Sequence, residues 1–458
     1  MPPVSLAFRG TARRGSGHIH VSPFDIAAAL VTLAAAFGYL NYRLLRLPPA
    51  IGVMCLALAS ALAILATDVL APGLHLRALL FGWCAGIDFN TLLIRGMLGL
   101  LLFAGALHVS LEDLHANRWE IGTLATAGVI LSTAIVGGAA YGLFNALGLA
   151  VPFPLCLVFG ALISPTDPVA VLGLMKRVRT STHLAATVAG ESLFNDGVGV
   201  VVFVALSSWA GLLGSGESGA VPMALPSVAL LFARQVAGGV LLGMASGYGA
   251  YRALKSIDNR ELELLITLAL ALATYSVSFY LGVSGPIAVV VAGILIGNQG
   301  RRFAMSPSTV EHVYTFWGVI DDILNAVLFL LIGLEVFSAA IRATTIAAAA
   351  GMVLIALVAR WISVAAPLFV LRRAGRYPRG VVTLLTWGGL RGGLSVAMAL
   401  SLKRTPSHEL ILGCTYGVVV FSVLVQGLTM GRLLTWFDRG PGPEGERHLR
   451  PDRDLPQP

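Results

Sequence analysis

The chain carries little charge. Only 12% of its 458 residues are Asp, Glu, Lys or Arg, well under the roughly 25% of a soluble domain, which excludes an ordinary solvated globular surface. Cysteine is scarce too, with Cys55, Cys84, Cys156 and Cys414 all inside apolar stretches and none at metal-ligand spacing. Buried thiols rather than disulfides are expected. The sequence has no phosphate-binding Gly-Lys-Ser/Thr loop, no His-Glu-x-x-His and no dinucleotide fingerprint followed by strand and acid. Nucleotide-driven and redox-driven chemistry therefore have no visible support. It also lacks any linker long enough to separate soluble domains.

What is present is apolar sequence. Hydrophobic residues make up 57% of the chain and the mean hydropathy is +0.83. About thirteen apolar segments, near 24–42, 49–68, 92–109, 120–147, 151–175, 184–212, 227–251, 262–281, 284–298, 314–338, 344–371, 380–402 and 409–435, each approach the roughly 20 residues of a spanning helix. The expected fold is an all-α polytopic membrane protein. The shortest segment opens at Gly285-Pro286 and is expected to be tilted or broken.

Lys and Arg concentrate in the loops after odd-numbered segments, as at Arg118, Lys176-Arg177-Arg179, Arg301-Arg302 and Arg372-Arg373. That asymmetry places the N-terminus outside and the C-terminus in the cytoplasm, with Arg9, Arg13 and Arg14 as weak dissent. The net charge of +8 then reads as a topology signal and an affinity for anionic lipid, with no nucleic-acid partner. Residues 1–21 are expected to be an extracytoplasmic tail without a signal-peptide cleavage site, 22–435 the membrane domain, and 436–458 a disordered cytoplasmic tail.

Two of these segments are broken. The fifth contains Ser164-Pro165-Thr166-Asp167-Pro168 and the twelfth Gly388-Gly389-Leu390-Arg391-Gly392-Gly393. An odd number of segments separates them, so they cross the membrane in opposite senses. Matched broken helices of opposed direction point to an inverted repeat with a site at the midplane. Non-helical backbone at that depth survives only against protein or a water-filled cavity.

A charge near the bilayer centre costs roughly 2.5–3.5 kcal/mol on insertion scales, so each intramembrane carboxylate is a site hypothesis. Pro165 and Pro168 lack the amides that would bond the carbonyls of Ala161 and Ser164, which frees oxygens beside Asp167. Hard cations take oxygen ligands of this kind. In the sixth segment Ser192 and Asp196 share a helix face, and Glu191 and Asn195 share the neighbouring one. Asp196 is the candidate for alternate occupation by a proton and a cation, since burial favours its neutral form and a bound cation its charged form. Glu191 and Arg391 are expected to form a structural ion pair. Arg360, in mid-segment, needs a partner among Asp321, Asp322 and a helix terminus. His183 reads better as a loop residue than as a pH sensor. A channel is disfavoured because unlike helices of one chain supply the ligands, and a hydrolase because Ser192 has no base at helical spacing.

Taken in this order, the motifs at 164–171, 190–197, 285–298, 316–335 and 387–393 resemble the cation:proton antiporter superfamily, specifically its NhaP-like sodium/proton antiporters, over about residues 20–435. The resemblance implies a 13-helix inverted repeat with crossing discontinuous helices and elevator-like alternating access in a homodimer of the plasma (inner) membrane. It implies no cofactor, with sodium, or alternatively potassium or lithium, exchanged for protons. By position, Asp196 resembles the family's essential ion- and proton-binding aspartate, with Asp167, Ser192 and the Thr166 carbonyl as co-ligands. Asn195 stands where electrogenic relatives have a second aspartate, which implies electroneutral exchange. Glu191 and Arg391 resemble the family's buried ion pair. The chain departs from some relatives at Ala104, where an acid in the third segment would add a ligand.

Overall fold

The computed structural model describes residues 23–70, 91–168, 171–173, 175, 182–212, 225–335, 342–371, 380–403 and 405–438. The expected N-terminal tail, most of the C-terminal tail, Cys84 and the side chain of His183 lie outside them. Within them every one of the expected apolar segments contains helix, and nine helices are long and apolar enough to cross a membrane. An apolar solvent leaves the backbone no partner but itself, which is why the described residues are mostly helical.

In chain order the principal helices are α1 (Pro23–Leu40), α2 (Pro49–Leu70), α3 (Leu98–Leu107), α4 (Val129–Ala146) and α5 (Phe153–Ile163). There follow α6 (Thr182–Trp209), α7 (Leu225–Leu254), α8 (Arg260–Leu281), α9 (Gly285–Leu295), α10 (Pro307–Leu334) and α11 (Ala343–Leu371). The last are α12 (Val381–Trp387), α13 (Gly393–Leu400), α14 (His408–Phe421) and α15 (Gly427–Asp438). A π-helical turn, Ser422–Gln426, joins α14 to α15.

Local chemistry sets several of the boundaries. Asn259 caps α8 by accepting the Leu262 N–H at 3.0 Å, and Gly282, at φ +64°, closes it in the left-handed region. Ser306 caps α10 ahead of Pro307 at the first helical position. The short segment does open at Gly285-Pro286, where Ser284 caps α9 and Pro286 fits its first turn, but it is not broken: the helix continues through a π-helical turn to Gly300.

The buried apolar residues fall into distinct clusters. One joins α4, α5, α6, α11, α13 and α14 around Phe144, Phe159, Met352 and Cys414. Another joins α3, α7, α8, α9 and α10 around Phe103, Tyr275 and Trp317. Within the first, α4 and α5 approach closely because both present glycine: a Cβ on Gly160 would sit 3.0 Å from the Gly137 nitrogen, and one on Gly137 would sit 2.9 Å from Leu157 Cα. That contact holds the end of α5 in place beside α6, where the site is built.

Candidate functional site

α5 stops where Pro165 withholds an amide, and an extended stretch follows. The Asp167 N–H donates to the Leu390 carbonyl at 2.7 Å, and the two residues form an isolated antiparallel bridge. The broken segments therefore cross, running in opposite directions, as expected. Helix is present again at residues 171–173, with Leu172 N–H bonded to the Pro168 carbonyl at 2.8 Å. On the other side α12 ends at Trp387 and α13 begins after Gly392.

Three helix ends meet here, and a charged side chain lies at each of them. The Arg391 Nη1 donates to the carbonyls of Ser164 and, at 3.0 Å, Pro165 at the C-terminal end of α5. The Arg360 Nη2 donates to the Leu385 carbonyl at 3.3 Å near the end of α12. The Asp167 side chain lies against Gly392 at the start of α13, where an added Cβ would come within 2.8 Å of Asp167 Cβ. Guanidinium at carbonyl ends and carboxylate at an amide end is the arrangement that helix dipoles favour. The Ser164 carbonyl freed by Pro168 is thus taken by Arg391.

The expected Glu191–Arg391 pair is corrected by the structure. Glu191 receives both terminal nitrogens of Arg360, at 2.6 and 2.9 Å, and all of these groups are buried. The physical reason is reach. Arg391 lies in the extended crossing and is drawn to the α5 carbonyls, whereas Arg360 projects from α11 across Gly389, where an added Cβ would come within 2.6 Å of its Nε. Neither Asp321 nor Asp322 holds Arg360; Asp321 accepts from Asn325 at 3.0 Å. Sequence reasoning marked Arg360 as needing a partner, and the glycine facing it was the missing signal.

α6 supplies the remaining polar residues. Ser192 donates its hydroxyl to the Thr166 carbonyl. Asn195 clamps Thr166 twice, donating to its Oγ1 at 2.7 Å and accepting its N–H at 3.3 Å, and donates to Glu191 Oε1 at 3.3 Å. Asn195 is 0% exposed, so its amide braces the crossing and does not face the open side of the site. Asp196 and Asp167, by contrast, are partly exposed while Glu191, Ser192, Asn195 and Thr166 are buried. The carboxylates acting on Asp196 are those of Asp167 and Glu191; the charges acting on Arg391 are those of Arg360 and Glu191. Ala104 is buried on α3 and brings no carboxylate. Two partly exposed carboxylates beside a braced run of backbone and hydroxyl oxygens can bind and release a small cation or a proton.

Comparison with known proteins agrees with this geometry. Residues 30–436 match the family described as sodium/hydrogen exchanger, transmembrane. The chain is 46% identical over 414 residues to the Na(+)/H(+) antiporter NhaP of Pseudomonas aeruginosa, covering 90% of this chain and 96% of that one. It is 34% identical over 356 residues to the Na(+)/H(+) antiporter NhaH of Halobacillus dabanensis, covering 76% and 83%. The solved structure of the sodium proton antiporter MjNhaP1 from Methanocaldococcus jannaschii at pH 8 shares the fold, with a TM-score of 0.66 at 17% identity over 89% of this chain and 96% of that one. By its sequence over nearly the whole membrane region, and by a fold of crossing broken helices, the chain belongs to the sodium/hydrogen exchanger family.

Proposed function

We propose that the protein is a secondary antiporter that exchanges one sodium ion for one proton across the plasma membrane, with Asp196 as the carrier of both. The observation that carries this is the contrast in exposure around α6: Asp196 and Asp167 are partly exposed while Glu191, Ser192, Asn195 and Thr166 are buried. Asp167 is the second carboxylate, and the Ser192 hydroxyl and Thr166 oxygens are the neutral ligands. Asn195 is a positioning residue that holds Thr166 in register.

Charge supports the stoichiometry. Asp167, Asp196 and Glu191 stand against Arg360 and Arg391, so three negative charges and two positive leave one negative charge when the site is empty. One monovalent cation neutralises it, and so does one proton on Asp196. Carrying charge through a low-dielectric barrier is costly, so the neutral forms are those that cross, and the two cargoes exclude one another. The energy comes from the ion gradient. The basic loops support an outside N-terminus and a cytoplasmic C-terminus, and a homodimer follows from the family resemblance.

The test is reconstitution in sealed liposomes carrying a pH gradient. Sodium is expected to dissipate the gradient more effectively than potassium, and Asp196→Asn to abolish dissipation in a sample that remains monodisperse. Undiminished exchange by Asp196→Asn would remove that residue from its role.

A further inference from the structure

A cavity of about 370 Å³ opens at the opposite end of α3 from its entry, between the end of α3, the end of α9 and the start of α10. None of its lining residues belongs to the crossing, and its volume is within the roughly 300–1,000 Å³ of small-molecule sites. Its walls are cross-tied. The Tyr314 hydroxyl lies 2.9 Å from the Gly297 carbonyl and 3.1 Å from that of Leu107. The Asn298 Nδ2 donates to the Val109 carbonyl at 3.0 Å, and its Oδ1 accepts the Leu111 N–H at 2.8 Å. His108 meets the Tyr314 ring edge-on at 5.1 Å.

The charges in this cavity have a pattern. Arg301 lies over the Tyr314 ring at 5.4 Å, Arg302 stands beside it, and Glu112 faces Arg302 at 3.3 Å with both side chains largely exposed. Such an exposed pair contributes little stability and opens without much cost. Two guanidiniums fit a phosphate, and a carboxylate on the same rim fits a cationic group covalently close to it. Leu111 and Phe303 in the cavity wall stand exposed at 37% and 62%. Apolar and aromatic residues exposed at helix ends mark the depth of the lipid headgroups.

From this juxtaposition we propose that the cavity is a binding site for the headgroup of a zwitterionic phospholipid, phosphatidylethanolamine, with Arg301 and Arg302 on the phosphate and Glu112 on the ammonium. Basic pockets between helices at a membrane face bind phosphate headgroups; here the added acid selects for a headgroup that is itself cationic at its tip. The acyl chains run along the exposed face beside Phe303 and Leu111. Leu107, Val109 and Tyr314 in the cavity wall belong to the α3, α7, α8, α9 and α10 cluster, so an occupant touches that cluster.

The experiment is native mass spectrometry of the delipidated full chain in detergent, titrated separately with phosphatidylethanolamine, phosphatidylglycerol, water-soluble glycerophosphoethanolamine and inorganic phosphate. Wild type is expected to bind phosphatidylethanolamine in preference to phosphatidylglycerol and to bind neither soluble compound at comparable concentration. The Arg301→Gln, Arg302→Gln double variant is expected to bind it at least about tenfold more weakly, one to two charge-assisted contacts being lost. Glu112→Gln is expected to keep binding and lose the preference over phosphatidylglycerol. Equal retention of phosphatidylethanolamine by the double variant, no preference in wild type, or soluble headgroup bound as well as the lipid would each overturn the proposal.

Discussion

At the scale of single residues the site is organised by who is occupied and who is open. Glu191 is committed to Arg360 and Asn195 to Thr166, so Asp196 is left to meet the cargo. Arg360→Ala strands a buried carboxylate and is expected to cost about 3–5 kcal/mol of stability, read as a fall in thermal midpoint of the detergent-solubilised protein. A double-mutant cycle should give a coupling of about 0.5–3 kcal/mol for Glu191 with Arg360, and a smaller one for Glu191 with Arg391. Asn195→Ala removes the brace on the Thr166 amide and hydroxyl. Leaving buried groups unpaired costs about 1–3 kcal/mol, so the half-saturating sodium concentration is expected to rise about tenfold in a protein that still folds, measured by sodium-dependent proton flux. In the proposed exchange proton and sodium compete for Asp196, so acidification is expected to fill the carboxylate with protons and raise that concentration as pH falls. A pH-independent value would contradict the competition.

At the scale of elements, the crossing depends on glycines that let two charged side chains lie across backbone. A Cβ at Gly392 would come within 2.8 Å of Asp167 Cβ and 3.0 Å of its Cγ. Gly392→Ala is therefore expected to displace that carboxylate, lose most of the exchange, and cost about 1–3 kcal/mol by overpacking. Gly138, on α4, has open space in the same position, and Gly138→Ala should leave transport unchanged and add up to about 1 kcal/mol of stability. Equal effects of the two substitutions in a stability and flux assay would show that the crossing is not the sensitive element. The broken helices, their opposed directions and Asp167 beside them were legible from Pro165, Pro168 and the Gly388–Gly393 run, because proline and glycine act locally. Which arginine meets Glu191 was not legible: it depends on how α11 lies over the crossing, a contact between residues 169 positions apart. The fate of the Ser164 carbonyl was hidden for the same reason, since its donor comes from 227 positions away.

At the scale of the whole molecule, the two helix clusters meet along α6, which gives Leu193 to one and Val198 to the other, and Asp196 lies between those positions. The extent of the apolar segments could be read from hydropathy because each helix must match the bilayer. The start of α9 at Gly285-Pro286 could be read too, whereas its unbroken run through a π-helical turn to Gly300 could not. The charge balance is likewise a property of the assembled site, because Arg360 joins it only through the fold. That balance is the central claim, and the most direct measurement is sodium-driven proton flux in proteoliposomes with the membrane potential clamped at zero and at a large inside-negative value. A single negative charge neutralised by either cargo gives the same steady-state pH gradient at both potentials. A gradient that moves with the clamped potential would mean that more than one carboxylate changes charge per cycle, and would contradict the assignment of Asp196 as the lone carrier.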